Sequence, residues 1–499
     1  MFDIRLSGIL AHPTSFPGPF GIGDLGAGAY QFIDFLSEAK QKLWQVLPLG
    51  PTGYGDSPYQ SFSSFAGNHY MISPELLVEQ GWLTVADLVD PGFDPRAVDY
   101  GSVIEYKMNL LKKAYTAFKI QATQGEKNCI IKFARKHKHW LPDYALFVAL
   151  KGYHGGESWM KWAPELSHRD PKAMAEMKIK LADEINFTIF LQYEFYRQWG
   201  LLRAYANKHG IQIIGDIPIF VAMDSADIWA NPHLFQLGKD GNPSAIAGVP
   251  PDYFSETGQL WGNPLYKWEA HKETGFEWWC QRFSAVLGLV DVIRIDHFRG
   301  FESYWSVPFG SETAEKGKWI KGPGKTFFAA LKARLGQLPI IAEDLGIITP
   351  AVNKLRHSLG LPGMKVLHFA FDPEAKSDYL PHMYNDKLTI VYTGTHDNDT
   401  TIGWYESASE EEKDYLRRYM NISGEDISWD MIRLAFSTSA IYAIVPIQDV
   451  MSLGTENRMN QPGCAMGWWR FRYTVDMLRE EYAQGLSYLS ELFHRNEGE

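Results

Sequence analysis

The stretch Val292-Ile293-Arg294-Ile295-Asp296-His297-Phe298-Arg299-Gly300 joins an apolar segment to a charged end. Its β-branched apolar residues indicate a short buried strand. Burying the charged residues would cost several kcal/mol each unless they have partners. A strand with an apolar body and a charged C-terminal end is typical of a β/α barrel, whose active site lies at that end of the strands. A strand that simply runs out to solvent would look the same, so recurrence of the pattern decides the fold.

The pattern does recur in the second half of the chain. Apolar segments that run into carboxylates occupy residues 211–220, 338–346, 366–372, 388–399 and 442–449. A first buried strand is predicted at residues 44–48, and helical patterns such as 350–359 and 410–420 separate the later strands. Apolar strands that alternate with helices predict a parallel α/β fold. A series this long predicts a (β/α)8 TIM barrel with its strand-end acids at one mouth.

One long region interrupts the alternation. The helical period dominates residues 73–208, where helices are predicted at 110–120, 142–152 and 173–206. Nothing resembling a flexible linker flanks this region. We therefore expect a largely α-helical insertion packed on a single catalytic barrel that comprises residues 1–499.

Composition argues against several functional classes. The net charge of −11 and the lack of a basic cluster argue against a nucleic-acid partner. Cys129, Cys280 and Cys464 are odd in number and widely spaced, which argues against a disulfide framework or a zinc site and for a reducing compartment. The N-terminus does not read as a signal peptide, and no apolar run approaches the ~18 residues of a membrane helix. We expect a soluble cytoplasmic protein that does not bind a membrane.

A glycine motif near the N-terminus has a simpler explanation than nucleotide binding. Gly21-Ile22-Gly23-Asp24-Leu25-Gly26 is a literal G-x-G-x-x-G. A dinucleotide fingerprint follows a strand, whereas a proline-rich loop precedes this one. We interpret the glycines as a turn into a helix predicted at residues 27–40. The polar and aromatic loop at residues 52–61 is a better candidate for lining a polyhydroxylated ligand, although a surface turn is equally consistent with it.

Several acids at one barrel mouth allow two chemistries. They could hold Mg²⁺ or Ca²⁺, or they could cleave a glycosidic bond with one acid as nucleophile and another as proton donor. Arg294 shares a strand face with Asp296 and is expected to hold that carboxylate ionised. His297 and His396 each adjoin a strand-end Asp and could bond sugar hydroxyls. These neighbours favour the sugar chemistry.

Motifs at the strand ends carry a family resemblance. Arg294-Ile295-Asp296-His297, Ala342-Glu343-Asp344-Leu345-Gly346 and residues 394–400 are similar to the three hallmark regions of the α-amylase clan. Narrower motifs are His12-Pro13-Thr14-Ser15, Asp56-Ser57-Pro58-Tyr59 and residues 215–221, 248–255 and 261–266. With these, essentially the whole chain resembles the amylomaltase (4-α-glucanotransferase, disproportionating enzyme) family.

The resemblance implies roles for individual residues. Asp296 is expected to be the nucleophile that forms a β-glucosyl-enzyme intermediate. Glu343 is expected to be the general acid and then the base, and Asp397 to grip ring hydroxyls of the distorted sugar. The implied substrate-binding and supporting positions are Tyr59, Asp216, Trp261, Asn263, Arg294, His297, His396, Asp372 and Asn460.

The resemblance also implies a setting for these residues. Residues 225–285 would form a lid loop over the cleft that excludes water, with Tyr253 and Phe254 among its aromatics. The implied partners are α-1,4-glucans and maltooligosaccharides, with glucose as an acceptor. No organic cofactor and no catalytic metal are implied, and the protein is expected to be a monomer or a homodimer.

Two positions near the expected site need separate treatment. Asp344 follows Glu343, and since adjacent strand residues face opposite ways, Asp344 is predicted to be structural. The pKa of Glu343 would then depend on burial and on the nearby Asp296. His368 stands where the family usually shows Gln, and either packing in the barrel or a functional role fits it.

Three alternatives to a transferase remain. A hydrolase or branching enzyme of the same clan would normally carry a C-terminal β-sandwich, whereas residues 473–493 predict helix and no such domain is expected. A non-catalytic glucan-binding barrel would be expected to have lost at least one of Asp296, Glu343 and Asp397, and all three are present. A metal-dependent barrel would place Arg294 against the metal. The transferase is therefore favoured.

Overall fold

A ring of eight parallel strands forms the centre of the structure, a computed structural model that describes residues 2–251, 256–373 and 377–496. The strands of the described chain are β1 (Leu6–Leu10), β2 (Leu43–Gln45), β3 (Gln212–Pro218), β4 (Ala245–Val249), β5 (Gln259–Pro264), β6 (Val292–Asp296), β7 (Ser303–Pro308), β8 (Lys318–Lys321), β9 (Ile340–Ala342), β10 (Gly363–Val366), β11 (Thr389–Tyr392) and β12 (Tyr442–Pro446).

The barrel strands follow one another around the ring in chain order. The order is β1-β2-β3-β6-β9-β10-β11-β12, every paired neighbour is parallel, and β12 pairs back onto β1. The amide of Ala342 in β9 donates to the carbonyl of Pro362, just before β10, at 2.9 Å. The last open edge is thereby bridged, and the predicted (β/α)8 barrel is confirmed.

Two barrel strands differ from the sequence prediction. The barrel begins with β1, whereas the segment at residues 44–48 was predicted as the first strand. Ser7 and Gly8 interrupt the apolar pattern of β1, which hides it. The strand predicted at residues 366–372 is wrong in position, because β10 ends at Val366 and a 3-10 turn follows at Leu367–Phe369. The apolar side chains after Val366 are buried by this turn.

Close approach of β1 and β2 requires a glycine. A Cβ built on Gly8 would lie 2.3 Å from the carbonyl oxygen of Leu43. We expect Gly8→Ala to lower the free energy of unfolding by about 1–3 kcal/mol, since overpacking forces a backbone shift. Chemical denaturation measures this loss. Gly18→Ala is the control, because no atom lies within 4 Å of the point that a Cβ would occupy there. Equal stability of the two variants would contradict the prediction.

Helices surround the barrel. The helices are α1 (Ala27–Glu38), α2 (Pro74–Glu79), α3 (Tyr100–Gln121), α4 (Gln124–Lys136), α5 (Leu141–Tyr153), α6 (Pro164–Ser167), α7 (Pro171–Lys180), α8 (Ala182–Lys208), α9 (Ala226–Ala230), α10 (Trp268–Glu273), α11 (Glu277–Leu287), α12 (Gly324–Leu335), α13 (Pro350–Leu359), α14 (Thr401–Ser407), α15 (Glu410–Met420), α16 (Ile427–Ser437), α17 (Ile447–Val450) and α18 (Glu480–Leu492). The helix predicted at residues 173–206 is divided at Leu181 into α7 and α8.

The helical region between β2 and β3 comprises α2 to α8. Two buried amides of α8 fasten the chain that enters it: Gln192 donates to and accepts from the backbone of Gly67 at 2.9 and 2.8 Å, and Gln198 bonds the backbone of Ser73. These paired bonds satisfy backbone groups that would otherwise be buried without partners. The assignment of residues 73–208 as an insertion in one catalytic unit stays a prediction.

A second sheet stands beside the barrel mouth. Its order is β5-β4-β7-β8, and all its pairs are antiparallel. The described part of residues 225–285 includes β4, β5, α9, α10 and most of α11, so it is not one irregular loop. Its role as a lid over the cleft stays a prediction. Glycine and proline at residues 248–251 and 262–264 hide the strand alternation. The lid aromatics Tyr253 and Phe254 lie outside the described residues.

Candidate active site

Three carboxylates lie at the C-terminal ends of neighbouring barrel strands. Asp216 belongs to β3, Asp296 ends β6, and Glu343 follows β9. The strands pair as β3-β6-β9, which brings the three side chains to one mouth. Asp216 and Glu343 are buried, whereas Asp296 keeps 28% of its side-chain surface exposed.

One guanidinium connects two of these acids. Arg294 is buried in β6 and donates from Nη1 to Oδ2 of Asp216 and to Oδ1 of Asp296, the latter at 3.1 Å. Because the carboxylates share one cation, their charges are partly neutralised within the site. The predicted pairing of Arg294 with Asp296 is present, and Asp216 is a second partner.

Burial acts against ionisation of both acids. It raises the pKa of Asp216 to about 7, with Arg294 lowering it and Asp296 raising it. Burial also raises the pKa of Asp296, and Arg294 opposes this while Asp397 adds to it. Arg294 favours the carboxylate form of Asp296, as expected, while burial has the larger and opposite effect on its pKa. That Arg294 holds Asp296 ionised stays a prediction.

Glu343 is positioned by two backbone amides, one that follows β6 and one that follows β9. Its Oε2 accepts from the amide of His297 at 2.6 Å, and its Oε1 accepts from the amide of Leu345 at 2.7 Å. His297 has φ 52°, a left-handed conformation that is uncommon outside glycine and marks a fixed local geometry. Burial raises the pKa of Glu343 to about 8; Arg294 lowers it and Asp296 raises it. At neutral pH this side chain carries a proton.

Asp344 faces away from this site. Its carboxylate accepts from the amide of Met364 at 2.7 Å and forms an ion pair with Arg356 at 3.1 Å. Met364 belongs to β10 and Arg356 to α13, so this acid connects β9 to the layer behind it. The predicted structural role of Asp344 agrees with these contacts.

A fourth carboxylate approaches from the loop after β11. Asp397 accepts from Nδ2 of Asn460 at 2.6 Å, and its backbone carbonyl accepts from Nη2 of Arg458 at 2.7 Å. His396 Nε2 lies 3.4 Å from Oδ2 of Asp397. Burial lowers the pKa of His396, so the ring is neutral at physiological pH. The structure thus places Asn460 and His396 beside Asp397.

Aromatic rings border the carboxylates. Tyr59 donates from its hydroxyl to Oδ2 of Asp216 at 2.7 Å and stacks on His396 with ring centroids 5.1 Å apart. Trp261 meets the ring of His297 edge-on, with centroids 4.8 Å apart. Such faces and edges suit contact with sugar rings. Burial lowers the pKa of His297 to about 3, which keeps its ring neutral.

Residues 11–477 match a family model described as 4-alpha-glucanotransferase. The chain belongs to this family.

Full-length relatives carry the same description. A 4-alpha-glucanotransferase of Synechocystis sp. is 50% identical over 99% of this chain and 99% of its own length. Another from Thermus thermophilus is 49% identical over 98% of this chain and 99% of its own length. The solved amylomaltase from Streptococcus agalactiae in complex with acarbose has a TM-score of 0.95 at 41% identity, covering 98% of this chain and 99% of its own. The protein is a 4-alpha-glucanotransferase, an enzyme that transfers glycosyl groups.

In this 4-alpha-glucanotransferase, one of two further residues that were predicted to bind substrate is buried and the other is exposed. Asn263 is buried and donates to the carbonyl of Val221 at 2.9 Å, which ties β5 to the loop after β3. Asp372 is exposed and lies two residues before the undescribed segment 374–376. Contact of these two residues with substrate stays a prediction.

Two residues of the site were missed by sequence reasoning. Trp469 lies 5.7 Å from the ring of Tyr59 and 5.9 Å from that of His396, centroid to centroid. Arg458 bonds the backbone of Asp397. Neither residue belongs to a barrel strand, so the strand-end pattern could not find them. The proximity of Asn460 and the aromatic pair at Trp468-Trp469 was the available signal.

Metal-binding clusters and membrane helices are two further features that bear on function. Among the described residues, no group of three or more His, Cys, Asp or Glu side chains is arranged to hold a metal ion. Over the same ranges, no helix combines the length and the apolar character needed to cross a membrane.

Proposed function

We propose that this enzyme moves a segment of an α-1,4-glucan to the 4-hydroxyl of an acceptor glucan or glucose by a retaining double displacement. The observation that carries this mechanism is the pair formed by Asp296 and Glu343 around Arg294: one acid is partly open to the cleft, and the other is buried with a pKa of about 8. Such a mechanism needs one carboxyl group that can reach the sugar as nucleophile and a second that carries a proton for the departing oxygen.

In the first step, the Asp296 carboxylate attacks the anomeric carbon of the donor sugar. The bond from that carbon to the glycosidic oxygen breaks, and Glu343 gives its proton to the departing oxygen. The product is a β-glucosyl ester on Asp296 and a shortened glucan with a free 4-hydroxyl. Arg294 bonds the Asp296 carboxylate and orients it for attack.

In the second step, the acceptor replaces the departed glucan. Its 4-hydroxyl gives a proton to the Glu343 carboxylate, its oxygen bonds the anomeric carbon, and the ester bond to Asp296 breaks. Two inversions restore the α-configuration. Asp397 binds ring hydroxyls of the distorted sugar. Its carboxylate is held by Asn460 and flanked by His396.

The remaining predicted residues line the same cleft in this proposal. Tyr59 offers its ring to the sugar before the scissile bond, while its hydroxyl fixes Asp216. Trp261 covers the acceptor side from β5, and the stretch at residues 225–285 excludes water from the intermediate. The chain acts as one catalytic unit in the cytoplasm, as a monomer or a homodimer. α-1,4-Glucans, maltooligosaccharides and glucose are its partners.

Product analysis with maltotriose tests the transferase chemistry. We expect purified protein, in the presence of EDTA, to convert maltotriose to free glucose and a ladder of longer maltodextrins with little gain in reducing ends. A chain-length separation and a reducing-end assay on the same samples measure both quantities. Accumulation of glucose and maltose with rising reducing ends would show hydrolysis instead. Activity that needs a metal added back after EDTA would contradict the metal-free mechanism.

A further inference from the structure

One strand-end acid has no part in the proposed mechanism. Asp449 follows β12 within α17 and is 1% exposed. Its carboxylate accepts a hydrogen bond from the hydroxyl of Thr393 at 2.6 Å. It also accepts from the amide and the hydroxyl of Thr401 at 2.7 and 2.8 Å. These partners are one backbone amide and two hydroxyls, so the acid is fixed by neutral donors.

The two threonines stand at the two ends of one loop. Thr393 is the first residue after β11, and Thr401 is the first residue of α14. Between them, residues 394–400 carry His396 and Asp397. A single buried carboxylate therefore joins both ends of the loop that presents Asp397 to the cleft. A loop whose ends are both fixed loses most of its freedom to move the side chains at its tip.

His368 extends this connection from the turn that follows the neighbouring strand β10. Its Nε2 lies 3.0 Å from the hydroxyl oxygen of Thr401, and its ring stacks on Trp404 with centroids 4.8 Å apart. Because the Thr401 hydroxyl donates to Asp449, it accepts from Nε2–H of His368. Burial lowers the pKa of His368 to about 3, which leaves the ring neutral. His368 thus packs in the barrel and bonds the residue that ends the loop. A functional role for it stays a prediction.

We propose that Asp449 is a positioning residue, which fixes Asp397 for the reaction by joining Thr393 to Thr401. The inference rests on the proposed function, in which Asp397 binds the distorted sugar. Asp449 does not touch the substrate in this role; it acts through the loop. Misplacement of a catalytic group by about 1 Å costs on the order of 100-fold in rate, so a loosened loop should be visible in kinetics.

A double-mutant cycle between Asp449→Asn and Asp397→Asn tests the proposal. The amide keeps the shape of Asp449 but cannot accept from every donor that surrounds it. We expect Asp449→Asn to lower kcat for maltotriose about 10- to 100-fold with a smaller change in KM, and to weaken acarbose binding in calorimetry. In the Asp397→Asn background, Asp449→Asn should change acarbose affinity by less than about twofold. Residues that act as a unit are non-additive in this way.

Asp291→Asn is the matched control. Asp291 also accepts from a backbone amide, that of Ile213 at 2.8 Å, and from a side chain, that of Arg203 at 2.6 Å. It lies at the opposite end of the barrel strands. It should lower the melting temperature while kcat and acarbose affinity stay within about twofold. If Asp449→Asn does not fold, Thr401→Val keeps the bond from the backbone amide to Asp449 and removes the bonds of the hydroxyl to Asp449 and His368. The same cycle is then run with it.

The outcomes separate this inference from the mechanism it rests on. Wild-type kcat in Asp449→Asn, or independent effects that multiply in the double variant, would overturn the positioning role and leave the mechanism standing. Wild-type kcat and acarbose affinity in Asp397→Asn would overturn the proposed role of Asp397 itself. Strong coupling between the two sites, without coupling between Asp291 and Asp397, supports the proposal.

Discussion

Asp296→Asn is expected to lower kcat for maltotriose disproportionation by at least about 10³-fold, since losing the group that forms the covalent bond removes a whole reaction path. The amide is nearly the same size as the carboxylate, so substrate can still enter. Binding of acarbose should therefore persist while turnover is lost. Chain-length analysis of products and calorimetry on the same preparation measure the two effects.

The fold should survive this substitution, and its stability should not fall. Arg294 keeps its bond to Asp216 when Asp296 loses its charge. Burial raises the folded-state pKa of Asp296, so ionising it costs stability as the pH rises. A neutral amide avoids that cost, which makes an equal or higher melting temperature at neutral pH the expected result. Active sites often trade stability for function in this sense.

The matched control is Asp344→Asn. This half-buried acid also follows a barrel strand, but it faces Arg356 and Met364 rather than the cleft. Its loss should reduce stability and spare most of the activity per folded molecule. Wild-type-like turnover by the Asp296 variant would show that another group is the nucleophile, and an inactive Asp344 variant of normal stability would show that the two faces have been misassigned.

The barrel could be predicted from the sequence because most of its strands carry two independent signals. Segments such as β6 are apolar along their length, because the strand is buried. They are acidic at their end, because the active site lies there. At β2 the apolar pattern was sufficient without an acid, whereas β1 shows neither signal clearly and was missed. β1 carries no acid and contains Ser7 and Gly8, and that glycine is needed because β2 comes so close.

From the strand pattern alone, the site could be predicted only where its residues lie near strand ends, whereas Tyr59 and Asn460 were predicted from the family resemblance. Asp296 and Glu343 are such strand-end residues. Arg458 and Trp469 reach the cleft from the irregular chain after α17, where no periodicity marks them. The pKa of Asp296 was likewise out of reach, because it depends on how burial compares with the single cation that Asp216 shares. Distances in three dimensions, not spacing in sequence, decide that balance.

Glu343→Gln should separate the two halves of the reaction. With maltotriose, we expect kcat to fall at least about 10³-fold, because the departing oxygen receives no proton. A donor whose leaving group needs no proton, such as α-maltosyl fluoride, should still glycosylate Asp296. The second step then lacks its base, so a covalent maltosyl-enzyme should accumulate. A burst of fluoride with a matching mass increase on the Asp296 peptide would record it, whereas steady turnover of maltotriose would refute the assignment.

The pH dependence gives the same residue a second test. Since the pKa of Glu343 is raised to about 8, the wild-type enzyme holds the proton at neutral pH, and kcat/KM for maltotriose should fall as the pH rises through about 8. Release of fluoride from the activated donor should not show this fall. Stability follows the same sign: a raised folded-state pKa means that wild-type stability declines between about 4.5 and about 8. Glu343→Gln cannot ionise, so its denaturation midpoint should lose less over that range. A parallel decline in both proteins would mean that some other group sets the alkaline limb.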